Sequence, residues 1–173
     1  MAKRILGASR WAQGLGLMLM VGAVTGAVVW GQQKNGSIKP LTALDYWEIQ
    51  QLGAKYAYGL DTGADNGNYF ANVFAPDGSF GNTKGREALA AMAREGGGRI
   101  KLRGYQHLVQ NFIVEPTADG AVGSQYIQVM TVGSKDKAPM LDHGGRYEDV
   151  YVKTAEGWRI KSRRVAHTFP PRE

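Results

Sequence analysis

The sequence has no cysteine among its 173 residues. That excludes a disulfide framework, a thiolate nucleophile and a lipid-modified cysteine behind the N-terminal segment. Histidine is nearly as scarce: His107, His143 and His167 are scattered, without an H-x-x-x-H or E-x-x-H pair, and no metal is expected. The acids of "DTGADNGN" imitate a calcium loop, but Asn66 stands where the sharp-turn glycine belongs and no closing glutamate follows. The glycines of "EGGGRIKLRG" follow a helix-forming run instead of opening one, and they lack the Lys-Ser/Thr pair of a phosphate loop. They read as a helix stop.

Charge is missing from one long stretch. Lys3, Arg4 and Arg10 precede "GLGLMLMVGAVTGAVVWGQQ", and no charged residue occurs from Trp11 to Gln33. Residues 1–31 are expected to be a signal peptide or a membrane anchor. Small residues at Thr25 and Ala27, or Val29 before Gly31, offer cleavage sites, while the same length is borderline for spanning a bilayer. Cleavage implies an exported domain, periplasmic or secreted; retention implies a single N-terminal anchor and the only membrane contact expected. The formal charge of +6 falls to +3 without the three leader cations, too little for a nucleic-acid partner. Residues 32–40, "QQKNGSIKP", read as a linker, and the domain is expected over 41–173.

Within the domain, Thr42 and Asp45 form a capping pattern. Ile49, Leu52, Gly53, Tyr56, Ala57 and Leu60 then recur at helical spacing, predicting a helix from Thr42 to Leu60. Tyr69, Phe70, Val73 and Phe74 suggest a short second helix stopped by "APDG", "GSFGN" a brief strand, and "KGREALAAMAREGGG" a third helix. From Lys101 the pattern changes to four long β segments, "YQHLVQNFIVEP", "AVGSQYIQVMTVG", "APMLDHGGRYEDVYVKT" and "GWRIKSRRVAHTF", separated by polar turns. Helices first and an antiparallel meander afterwards give an α+β class. Such a sheet can curl into a cone whose hollow the first helices close.

Asp61 falls where the first helix should meet its turn, and on its own it reads first as a turn-forming aspartate. His107 lies in a strand whose faces, His107, Val109, Asn111, Ile113 and Leu108, Gln110, Phe112, Val114, are both apolar enough to point inward. Alone it reads as a satisfied structural histidine. Together the two carry chemistry, because a carboxylate bound to one imidazole nitrogen fixes the tautomer, raises the basicity of the other and stabilises the imidazolium. Tyr56, central on the apolar stripe, offers a buried hydroxyl as donor or a core contact. Alternation sets Arg159, Lys161 and Arg163 on one strand face opposite Trp158 and Ile160, a pattern expected of a solvated outer surface. His143 and His167 are expected to be solvated.

The runs "YAYGLDTGADNGNYFANVFAPDGSF", "HLVQNFIVE" and "GGRYEDVYVKTAEGWRIKSRRV" resemble the SnoaL-like branch of the nuclear transport factor 2-like superfamily over about Leu41 to His167. Within it the sequence is similar to the scytalone dehydratase and bile-acid dehydratase type, with Tyr56, Asp61 and His107 at the positions of that type's tyrosine, aspartate and histidine. The resemblance implies a cone-shaped α+β barrel, no cofactor, and frequently a homodimer or homotrimer. Val132 and Tyr147 stand where scytalone dehydratase has a second pocket histidine and an asparagine, which argues against the scytalone reaction itself. Asn111, Tyr126 and Tyr147 are expected to line the substrate pocket. The expected function is a cofactor-independent dehydratase or isomerase acting on a small, largely apolar ring compound, with a non-catalytic binding or self-assembling domain as the alternative.

Overall fold

A computed structural model describes residues 38–169, with side chains defined except at 97–103 and 167–169. The expected leader and the linker up to residue 37 lie outside the described residues. Among the described residues no helix is long and apolar enough to cross a membrane.

Helix α1 spans Ala43–Thr62. Its start is set by Thr42, which accepts from the Asp45 amide through its hydroxyl, while the Asp45 carboxylate accepts from the Thr42 amide at 2.9 Å. Ile49, Leu52, Tyr56 and Ala57 turn inward as the apolar spacing requires. The helix runs two residues beyond Leu60, so Asp61 sits in its last turn and not in a loop. Gly63, at φ 60°, ends it.

A 3-10 turn at Asp65–Gly67 and the single-turn α2, Asn68–Ala71, follow. The short helix stops before Phe74, which opens strand β1, Phe74–Phe80. Phe74 pairs in parallel with Ile160, whose amide donates to the Val73 carbonyl at 2.9 Å. "APDG" therefore belongs to a strand: the register jumps between Phe74 and Ser79, and a Cβ on Gly78 would lie 2.8 Å from the Ile160 carbonyl oxygen. Strand β2 is Thr83–Lys84.

Helix α3, Arg86–Arg103, continues through Gly96, Gly97 and Gly98. Glycine weakens a helix by about 1 kcal/mol per residue but does not forbid one. Gly104, at φ 64°, follows the last helical residue and takes the stop expected of the triplet.

Strands β3 (Tyr105–Thr117), β4 (Gly120–Thr131), β5 (Met140–Thr154) and β6 (Gly157–Phe169) match the four β segments read from the sequence. The six described strands form a curved, unclosed sheet in the order β2-β1-β6-β5-β4-β3. All neighbours are antiparallel except β1 and β6. The fold is α+β, with Tyr56, Phe70, Phe74, Leu89 and Ile160 buried between helices and sheet.

One polar tie joins α1 to the sheet. Asp45 accepts from Lys153 Nζ at 2.6 Å and from Trp158 Nε1 at 2.8 Å. The bond to Lys153, then those to Thr42 and Trp158, hold its carboxyl below the ordinary carboxylate range. A depressed folded pKa contributes stability that is present above the unfolded value, about 3.9, and is lost as pH falls through the folded one. Asp45→Ala is expected to cost about 1–2 kcal/mol at neutral pH by thermal melting, with the difference from the parent chain shrinking as the buffer is taken below about pH 4.

Candidate functional site

Paired residues on adjacent strands share a sheet face, so the register defines the inner surface. One row runs His107, Val129, His143; the next runs Val109, Ile127, Gly145. Deeper rows bring Gln125 beside Tyr147 and Gly123 beside Asp149, which pairs with Arg163.

The last turn of α1 lies against the start of β3. Asp61 Oδ2 accepts from the His107 backbone amide at 2.9 Å, and Asp61 Oδ1 forms a short hydrogen bond with His107 Nδ1. The side chains are 13% exposed for His107 and 17% for Asp61, shielded but reachable. Both carboxylate oxygens are engaged by N–H groups of one residue, so the aspartate sets the strand end and the imidazole together. With Nδ1–H directed at the carboxylate, Nε2 is the nitrogen left with a lone pair. An open cleft of about 600 Å³ borders the pair, with Ala54, Tyr58, Thr62, Tyr105, Leu108 and Val132 along it.

Tyr56 is fully buried, and its hydroxyl lies 3.1 Å from that of Tyr147, which is 5% exposed. The rings meet edge to face at 5.6 Å. Burial pushes both hydroxyls up; for Tyr147 the Tyr56 hydrogen bond and the Arg163 charge act against it, and Asp149 and Asp61 add to the rise.

Beneath the tyrosines lies a feature that the sequence pattern misplaced. Arg163 is 1% exposed, not part of a solvated face. Val150 pairs with Ser162 and Tyr151 with Ile160, so Lys161 is an extra residue in β6, and this bulge turns Arg163 to the side of Trp158 and Ile160. Its Nε and Nη2 donate to Asp149 Oδ1 and Oδ2, each at 2.8 Å. Gln125 Nε2 at 3.0 Å and the Tyr151 hydroxyl at 2.6 Å complete the shell of Asp149. The guanidinium carbon stands 4.2 Å from the centre of the Tyr56 ring and 4.6 Å from that of Tyr147. Among the described residues Nη1 has no oxygen partner, and the two π faces are what the guanidinium meets. Burial works to depress the Arg163 guanidinium, but Asp149, Tyr56 and Tyr151 more than reverse it and leave it raised.

Asn111 and Tyr126 do not border the cleft beside Asp61 and His107. Asn111 sits at a bulge in β3, at φ 55°, between the pairs Gln110 with Tyr126 and Ile113 with Ser124. The extra residue breaks the alternation from His107, so Phe112 and Val114 take the inner side and Asn111 is exposed at the margin. Tyr126, 42% exposed, pairs with Gln110 and Arg146 on the outer face. Tyr147 is on the inner face, 5% exposed and within the core. The sequence pattern presents His143 only as a solvated strand end, yet it occupies the His107 row; pairing register, which a single chain segment does not display, is what reveals it. The side chain of His167 lies outside the described residues.

The comparisons with known proteins agree with this architecture. A sequence model described as a SnoaL-like domain matches residues 41–164. Aln2 from a Streptomyces species is 28% identical, with a TM-score of 0.62 over 75% of this chain and 94% of its own. ActVI-ORFA from Streptomyces coelicolor is 25% identical, with a TM-score of 0.61 over 73% and 97%. A protein from Catenulispora acidiphila, solved in complex with S-DNPA, is 26% identical, with a TM-score of 0.57 over 73% and 95%. No curated protein matches the chain.

Proposed function

Because this chain belongs to the SnoaL-like domain family, whose fold presents a curved sheet to its N-terminal helices, we propose that it is a cofactor-independent lyase or isomerase using Asp61 and His107 as a general-base pair. The observation that supports this reading is the double hold of Asp61 on His107, through the backbone amide and through Nδ1. His107 Nε2 takes a proton from a carbon beside a carbonyl, and Asp61 stabilises the imidazolium that forms. The hydroxyls of Tyr56 and Tyr147 are buried and bonded to each other, outside the lining of the cleft, so in this reading they back the site from within the core and do not meet the substrate oxygen. A small, largely apolar ring compound suits the apolar part of the cleft lining, Ala54, Ala57, Leu108, Val109 and Val132. A relative that holds S-DNPA is in keeping with a ligand-binding interior.

The test uses cyclic β-hydroxy ketones, β-hydroxycyclohexanone and β-hydroxytetralone, in deuterated buffer. Mass spectrometry follows both exchange at the acidic carbon and loss of water. His107→Ala is expected to lose both. Retention of both in that variant rejects the base assignment.

The export reading of residues 1–31 places this reaction in the periplasm or outside the cell. N-terminal sequencing of the exported product is expected to show a start near Val28 or Gln32; a start at Met1 would instead mean an anchored protein.

A second reading, self-association, is favoured by the outer sheet face. Leu108, Ile113, Val122, Tyr126 and Val150 are all at least 39% exposed there, beside the ion pairs of Glu148 with Arg146 and Arg164. Apolar groups framed by charges of both signs suit a two-fold contact with a second copy. Sedimentation is expected to show a dimer that Ile113→Lys converts to monomer, without loss of the base chemistry.

A further inference from the structure

A second cavity lies beside the Asp61 and His107 cleft. It holds about 300 Å³ between α1, where Trp47, Gln51 and Gly53 border it, and the bulge of β3, where Asn111 and Phe112 do. Ala54 and Val109 belong to the walls of both hollows. From the core side the second one is bordered by Gln125 of β4, which is 4% exposed. Among the described residues that line it, none is charged.

Gln125 gives this cavity its chemistry. Its Nε2 donates to Asp149 Oδ2 at 3.0 Å, against the buried ion pair with Arg163. That bond fixes the amide, because turning it over would set Oε1 against a carboxylate. Oε1 is held on the side of α1, where a Cβ placed on Gly53 would come within 2.7 Å of it. No donor among the described residues reaches Oε1, and the atom stays open to the cavity. An acceptor this enclosed gains from a ligand that brings it a donor.

We propose that this cavity binds an uncharged, hydroxyl-bearing ring of the sugar or cyclitol class, with one hydroxyl donating to Gln125 Oε1. A cationic donor would enter without a carboxylate in the wall to pair with, and an anion without a cation; a neutral hydroxyl carries neither cost. Hydroxyls both donate and accept, and so do the carboxamides of Gln51 and Asn111. Trp47, 58% exposed, brings an indole to the mouth, an apolar surface for the C–H groups of such a ring. A volume of about 300 Å³ is at the small end of ligand cavities and suits a single ring. The site does not draw on the base reading of His107.

The experiment reads binding without any reaction, so it is decided whether or not His107 proves to be a base. Isotope-labelled protein is titrated with methyl glucoside and with myo-inositol, and the backbone amides of Ala54 and Asn111 are followed by NMR. Saturable shifts there are expected with at least one of the two. Methoxycyclohexane, which keeps the ring but has no hydroxyl, is expected to produce none. Gly53→Ala is the sharpest variant, because alanine favours the helix while its methyl group displaces Gln125 Oε1; binding is expected to weaken about tenfold. Trp47→Ala, at an exposed position, should weaken it about 2- to 10-fold. Circular dichroism checks that both variants fold. Absence of a saturable shift with both hydroxylated probes overturns the proposal. So does equal binding of methoxycyclohexane, or the parent affinity in either folded variant.

Discussion

Asp149→Ala is expected to destabilise the protein by about 3–5 kcal/mol, enough to remove much of the margin of a domain this size. The side chains of Asp149 and Arg163 are both fully buried. Asp149 receives two bonds from Arg163 and one each from Gln125 and Tyr151. Truncation leaves a guanidinium in the core with only aromatic faces against it, and strands two further donors. Breaking such a pair is far worse than replacing it. The double substitution Asp149→Leu with Arg163→Met is therefore expected to recover part of the loss in urea melts, since it removes both desolvated charges and refills the volume while the Gln125 and Tyr151 donors stay unpaired. Activity should follow a different course. The charge beneath the rings of Tyr56 and Tyr147 is gone in the double variant, so a folded protein with weakened turnover is the expected outcome. Equal stability of the single and double variants would show that the buried charge is not what Asp149 compensates.

Asp61→Asn is expected to lower kcat by about 10²- to 10⁴-fold with a much smaller change in KM. The reason lies in counting acceptors. Asp61 accepts from the His107 amide with one oxygen and from Nδ1–H with the other. Asparagine has a single oxygen; its NH₂ group must face one of those two donors. If the amide nitrogen faces the ring, Nδ1 becomes the acceptor, the proton moves to Nε2, and the base is lost. If it faces the backbone, the start of β3 loses its tie. In either arrangement no negative charge remains to stabilise the imidazolium. Stopped-flow or steady-state measurement of water loss decides the matter, and an unchanged kcat would mean that the carboxylate is structural only.

Much of the architecture was legible because it rests on periodicity. The apolar stripe of α1 and the four long β segments follow from side-chain spacing alone, and the capping residues Thr42 and Asp45 marked the helix start. The meeting of Asp61 and His107 followed from the family resemblance joined to the chemistry of the two side chains. What escaped were the irregularities. One extra residue at Lys161 carried Arg163 from the expected solvated face to the centre of the core, and one at Asn111 divided β3 so that neither proposed face was wholly inward. Alternation has no memory of a bulge, because the shift is defined by a partner strand far away in sequence. The strand start at Phe74 escaped for the same reason: its parallel partner, Ile160, is supplied by the last strand. Glycines 96–98 misled in the other direction, since packing of α3 against its neighbours outweighs a propensity cost of about 1 kcal/mol per residue.

Asn111 has a further effect at the sheet margin. Among the described residues β3 is one of the two outermost strands, and the longer of them; an uninterrupted outermost strand is a template on which stray chains can add and fibrils can grow. A left-handed residue halfway along it kinks the row of outward amides, so that a would-be partner could match at most half its length. A variant that straightens this point would trade a local irregularity for a continuous sticky edge.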